Sequence, residues 1–83
     1  MHYTKTKFKL KPTALKALTE EHGNTEVKHY LARRLDCSTP AVYARLKDGF
    51  DFISAVFLCE HVLNLSYVKA FEDGKMIKRL LRG

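Results

Sequence analysis

The segment from Lys28 to Gly49, KHYLARRLDCSTPAVYARLKDG, constrains the fold of this chain most strongly. Its first half has apolar residues at helical spacing, and its second half opens with Ser38–Pro40, which combines two helix-capping residues with a proline suited to a first turn. Asp36–Cys37 fits a tight turn between the halves, and small Ala32 allows two helices to cross closely. The pattern predicts a helix-turn-helix unit with these inward positions: Leu31, Ala32, Leu35, Val42 and Leu46.

Residues 1–11 precede the first helix as a basic arm. Their lysines alternate with uncharged residues, a pattern that fits either an extended arm or a half-buried strand, and an ordered extended segment is the favoured form. Pro12 and Gly23 fit the two ends of the first helix, and Asn24 or Thr25 fits the cap of the second. The alternating lysines are Lys5, Lys7, Lys9 and Lys11.

Two further helices and a basic tail follow the central unit. Asp51 is the expected cap of a helix over residues 52–63, whose apolar residues point in so many directions that we expect the core's central helix, partly free for a partner. Ser66 fits the cap of a short helix over residues 67–72. The tail, residues 75–83, is amphipathic as a helix and has two apolar pairs as a strand, and both forms stay open.

Taken together, these signals predict an all-α fold. The prediction is a compact bundle of about five helices that contains a helix-turn-helix, with a short extended arm or strand at the N-terminus. Eighty-three residues suffice for one modest core. The expected division is 1–11 for the arm, 12–74 for the helical domain and 75–83 for the tail.

Charge and cysteine content narrow the classes of function. The net charge of +6 and the pI of about 9.5 favour polyanions, either nucleic acid or an anionic membrane surface. No apolar run approaches the roughly 20 residues of a membrane span, and the N-terminus lacks the hydrophobic segment of a signal peptide, so we expect a cytoplasmic protein. Cys37 and Cys59 lack CxxC or CxxH spacing and the histidines lack ligand spacing, so neither a metal nor a cofactor is expected. No nucleophile–base pair or phosphate loop can be argued, which predicts that the chain is not an enzyme.

The central unit resembles the helix-turn-helix of phage Cro and repressor proteins and of small Cro-like prophage regulators. The resemblance lies in LARRLDCSTPAVYARLKDG, especially the Leu-Ala pair, its spacing to Leu35, and Ala-Val-Tyr followed by Leu46 and Gly49. It covers roughly residues 12–72, with specific positions in about 20 of them. Two positions depart from the family pattern: Asp36 replaces the usual turn glycine, and Arg45 replaces an apolar or small residue.

The resemblance implies a sequence-specific regulator of transcription that reads double-stranded DNA in the major groove. Position by position, it assigns base contacts to the start and outer face of the second helix of the unit: Ser38, Thr39, Pro40, Tyr43 and Ala44. Tyr43 is the strongest of these. Phosphate contacts are expected from Lys28, Arg45 and Lys47, with a nonspecific, salt-sensitive contribution from Lys5, Lys7 and Lys9.

A homodimer on an inverted repeat is the expected assembly, because one recognition helix reads only a few base pairs. Half-sites are then spaced by about 34 Å, one turn of DNA, and the apolar fourth helix and the tail are the candidate dimer surfaces. Two alternatives stay open. One is an antitoxin whose tail, disordered alone, wraps a toxin. The other is a protein-interaction module that docks a partner through the fourth helix and tail.

Overall fold

Six α-helices make up most of the computed structural model, which describes residues 7–83. Their bounds are α1 Pro12–His22, α2 Glu26–Leu35, α3 Thr39–Asp48, α4 Phe52–Phe57, α5 Tyr67–Ala70 and α6 Gly74–Arg82. A π-helical segment, Leu58–Leu63, continues α4. Over residues 7–83 there are isolated bridges but no strand, which confirms the all-α prediction. The sixth helix is the basic tail, for which the sequence leaves helix and strand open.

The N-terminal segment enters the core as extended backbone. Phe8 exchanges two backbone hydrogen bonds with Phe50, each 2.7 Å long, and Leu10 forms an antiparallel bridge with Phe71. Because side chains alternate along extended backbone, Phe8 and Leu10 are both buried. The side chains that alternate with them, Lys7 and Lys9, are exposed, as the sequence predicts.

The centre of the core is aromatic. Phe8, Phe50 and Phe71 are each fully buried, and the rings of Phe50 and Phe71 meet edge to face with centroids 6.2 Å apart. All three come from connecting segments rather than from helices. Side chains from four of the helical elements complete the fully enclosed set: Val27, Leu31, Val42, Leu58 and Ile77.

The fourth helix is therefore not the core's central helix, and that prediction is wrong. Ala55, Leu58 and Cys59 are buried, but Ile53 is 78% exposed, and the helix changes from α to π after Phe57. Four of its other large apolar side chains are partly buried against the core, namely Phe52, Val56, Val62 and Leu63, while Phe57 is partly buried outside that cluster. The physical reason is that the aromatic side chains of the extended segment and loops occupy the central volume instead.

Three helix caps form as the sequence predicts. Ser38 accepts a hydrogen bond from Ala41 N at 3.3 Å, and the Ser66 hydroxyl and Asp51 carboxylate make the equivalent bonds for α5 and α4. The expected side-chain cap of α2 does not form. Thr25 is already in the helical conformation, and the carbonyl of residue 23 accepts the Val27 N–H instead.

The junction of α5 and α6 is tight. The sequence predicts that α5 reaches Glu72, but it ends at Ala70 because Phe71 takes extended backbone to pair with the N-terminal segment. A Cβ on Gly74 would overlap the Tyr67 carbonyl, so only glycine permits this approach. Ile77 is fully buried, and α6 consequently packs on its own domain through that side chain.

Candidate nucleic-acid interface

The turn between α2 and α3 is a regular helix C-cap. Asp36 is left-handed, with φ 56° and ψ 52°, which is the conformation that glycine usually supplies at this position. Cys37 N donates to Ala32 O at 3.0 Å and Asp36 N to Arg33 O at 3.3 Å, which together form a Schellman motif. Cys37 is half-buried in the joint, so the turn keeps its geometry without a glycine.

One side of α3 packs on the core and the other faces solvent. Val42 is fully buried and Leu46 partly buried, in the same cluster as Leu31 and Ala32 of α2. The outward side carries the residues to which the sequence assigns base contacts. Ser38, Pro40 and Ala44 are exposed, Tyr43 is 55% exposed, and Thr39 is partly buried.

Two contacts tie α2 to the outward side of α3. The ammonium of Lys28 lies over the Tyr43 ring, 5.1 Å from its centroid, in a cation–π arrangement. Thr39 Oγ1 lies 3.3 Å from His29 Nδ1, within hydrogen-bond distance. Sequence reasoning missed His29, which it assigned to solvent or core. The sequence does give one indication of this role. His29 lies beside Lys28 in the N-terminal half of α2, and a helix-turn-helix places that half of its first helix near the start of its second helix.

A group of cations lies at the C-terminal end of α3. Lys47 is exposed and Arg45 partly buried, and the extended N-terminal segment brings Lys7 to the same place. A Cβ on Gly49 would lie 3.0 Å from the Lys7 Cβ, so glycine permits this approach. The pKa of Asp51 is lowered, first by the hydrogen bond from Ser54 N and further by the positive charges of Arg45 and Lys7.

The remaining arm lysines are placed differently. The carbonyl of Lys9 accepts a hydrogen bond from Glu72 N at 2.9 Å, which sets this exposed lysine beside the entrance to α6 rather than at α3. Lys5 lies outside the described residues. The structure therefore brings Lys28, Arg45, Lys47 and Lys7 to the α2–α3 region, while Lys9 leads away from it.

Three further observations concern metal ligands, thiols and membrane spans in the residues described. Between residues 7 and 83, no three His, Cys, Asp or Glu side chains are placed to hold a metal ion. Cys37 and Cys59 are free thiols, and burial raises the pKa of Cys59 to about 12, which keeps that thiol protonated. No helix in this part of the chain has the length and apolar character needed to cross a membrane.

Comparisons with known proteins add no relative. Neither a protein-family model, nor a curated protein sequence, nor a solved structure matches this chain.

Proposed function

We propose that this protein is a sequence-specific DNA-binding regulator of transcription, similar to phage Cro and repressor proteins, that inserts α3 into the major groove. The observation that carries the proposal is the α2–turn–α3 unit itself. Its inner side is anchored by Val42, while its outer side is open, with Lys28 over Tyr43 and further cations at the C-terminal end of α3. This is the arrangement in which a recognition helix reaches base edges while the phosphates are held on either side.

In this proposal the outer side of α3 reads bases. Tyr43 supplies the largest exposed group, the hydroxyls of Ser38 and Thr39 serve as donors or acceptors, and Pro40 and Ala44 suit a thymine methyl. Four cations hold the phosphates: Lys28, Arg45, Lys47 and Lys7. Lys5 and Lys9 add a nonspecific contribution.

The active form is a homodimer on an inverted repeat, since each chain has one such unit and a single recognition helix gives too little selectivity. A regulator of bacterial or prophage genes acts in the cytoplasm, at the nucleoid. The proposal includes no catalytic step and no cofactor.

Selection of bound sequences from a random duplex pool, with purified protein at moderate salt, tests this function first. An inverted repeat with half-sites about 34 Å apart is the expected result. Recovery of no motif, with binding that vanishes as salt rises, would leave only a basic surface and refute sequence-specific regulation.

The residue roles are tested with Tyr43→Ala and Lys47→Ala on the selected operator and an unrelated duplex. Tyr43→Ala should cost about 1–3 kcal/mol on the operator and much less on the unrelated duplex. Lys47→Ala should weaken both alike and reduce the salt slope by about 1. Tyr43→Phe is the matched control, because it keeps the ring under Lys28 and removes only the hydroxyl. Equal, sequence-blind losses at both positions would contradict base readout by Tyr43.

A protein-interaction module is the second candidate, and the exposure of Ile53 favours it. This side chain borders a shallow cleft of about 190 Å³ whose other lining residues include Leu35 and Phe57. Binding of a different protein at this cleft, rather than of DNA or a second copy of this chain, would support the interaction module. The antitoxin alternative has less support, because it needs a disordered tail, whereas α6 is helical with Ile77 buried.

A further inference from the structure

Helix α6 carries a continuous basic face that the recognition of DNA by α3 does not use. Its four cations occupy positions i, i+3, i+4 and i+7, which lie on one side of an α-helix, and all four are exposed. They border a shallow open cleft. Among residues 7–83, none of the four forms an ion pair with a carboxylate, although Glu72 and Asp73 line a cleft together with Lys75 and Arg79. The four cations, hereafter the α6 basic face, are Lys75, Lys78, Arg79 and Arg82.

The opposite face of α6 is occupied by the core. Ile77 is fully buried, and Met76 and Leu80 are partly buried against the same cluster. An amphipathic helix that binds a membrane surface needs its apolar face free to enter the lipid. Here that face is packed except at Leu81, which is 46% exposed, so the helix offers outward mainly its positive charge, which fits a polyanion.

The backbone pairing places α6 near the end of the recognition helix. The extended N-terminal segment pairs through Phe8 with Phe50, just after α3, and through Leu10 with Phe71, just before α6. The Phe50 and Phe71 rings are themselves in contact. Basic residues therefore run from the end of α3 to α6 along this segment: Arg45, Lys47, Lys7 and Lys9.

We propose that the α6 basic face is a second phosphate-binding surface, which holds the backbone of duplex DNA beyond the stretch that α3 reads. From Lys75 to Arg82 the helix rises about 10.5 Å, and phosphates of one strand advance by roughly 3.4 Å along the DNA axis, so a helix laid parallel to that axis would span about three phosphates. That the bound polyanion is the same DNA duplex that α3 reads rests on the proposed function, whereas the binding of a polyanion rests on α6 alone.

The test is the salt dependence of duplex binding by the variant Lys78→Gln/Arg82→Gln. Removing one cation from a phosphate should flatten the slope of log affinity against log salt by about 0.9, so the double variant should have a slope flatter by about 1.8. Sequence preference should stay as in the wild type, since phosphate contacts do not read bases. Both positions are exposed, and circular dichroism checks that the fold is kept.

Lys16→Gln/Lys69→Gln is the matched control, with the same loss of charge at exposed positions of α1 and α5. Lys69 borders a cleft formed with Thr13 and Ala17 of α1, which is not the cleft lined by the α6 basic face. A slope change confined to the α6 variant supports the proposal, and equal changes in the two variants overturn it. Binding to phosphatidylserine vesicles that the α6 variant loses, with duplex binding unchanged, would also overturn it in favour of a membrane.

The same measurements separate this inference from the proposed function. If random-pool selection yields an inverted repeat but the α6 variant keeps the wild-type slope, the regulator stands and the second surface fails. If selection yields no motif but the slope flattens only in the α6 variant, the second surface stands and sequence-specific regulation fails.

Discussion

Asp36 holds the left-handed conformation on which the angle between α2 and α3 depends. An L-residue other than glycine pays about 1–2 kcal/mol there, less for aspartate, and a carboxylate at a helix C-terminus opposes the helix dipole. We expect Asp36→Gly to raise the free energy of unfolding by about 0.5–1 kcal/mol, after the greater unfolded-state entropy of glycine is deducted. Urea unfolding followed by circular dichroism measures this change.

Asp36→Val is the matched opposite, because a β-branched side chain tolerates the left-handed region poorly. It should lower the free energy of unfolding by about 1–2 kcal/mol. A glycine variant less stable than the wild type would contradict this account.

Residue-level features that depend on near neighbours in sequence can be predicted. The caps at Ser38 and Asp51, the turn at Asp36 and the inward position of Val42 follow from a few adjacent residues. The pairing of His29 with Thr39 cannot be predicted in this way, because it depends on how α2 and α3 cross. The placement of Lys7 beside α3 likewise needs the pairing of Phe8 with Phe50, for which the sequence has no local signal.

At the scale of the element, the stability of α4 depends on its N-cap residue, Asp51. The Asp51 carboxylate accepts the Ser54 N–H at 2.7 Å, and this bond is the main reason that its pKa is lowered. Asp51→Ala should reduce the free energy of unfolding by about 1 kcal/mol at neutral pH. Because the folded pKa is lowered, the extra stability is present above the ordinary value of 3.8 and is lost as pH falls through the folded value.

The pH dependence of urea midpoints for three variants checks this prediction. Asp51→Asn keeps a neutral cap and should show a smaller loss of stability in acid than the wild type. Ser66→Ala removes the uncharged cap of α5, so its effect should not change with pH in the same range. An acid loss of the same size in wild type and Asp51→Asn would place the titrating group elsewhere.

The first three helices are predictable as elements, but the later ones only in part. Helices α1 to α3 are bounded by local signals such as Pro12, Gly49 and the Ser38 cap. The end of α5 at Ala70 follows from the pairing of Phe71 with the N-terminal segment, which is distant in sequence, and no local signal marks the change from α to π after Phe57. The apolar pattern of α4 predicts a helix at the centre of the core. It fails because nothing in that pattern shows that Phe8 and Phe71 fill the centre.

At the scale of the molecule, the proposed homodimer needs an interface, and we expect the second copy to pack on the apolar surface around Ile53. Ile53 is 78% exposed, and in the same region Arg34 lies over the Phe57 ring and donates to the carbonyl of His61 at 2.9 Å. Because a two-fold interface uses the same patch on both copies, each side chain that it buries counts twice. Burying the exposed part of Ile53 on both copies is worth roughly 2–5 kcal/mol, or about thirtyfold or more in the dimer dissociation constant.

We therefore expect Ile53→Lys to produce a folded monomer, measured by sedimentation equilibrium. On an inverted-repeat operator the variant should lose most of its affinity, while its weak binding to unrelated duplexes should stay close to that of the wild type, because its phosphate contacts are intact. Leu81→Lys is the control, since Leu81 is also exposed, at 46%, but lies on α6. If Ile53→Lys remains a dimer while Leu81→Lys dissociates, the two copies meet through α6, and the surface around Ile53 is left for a different partner.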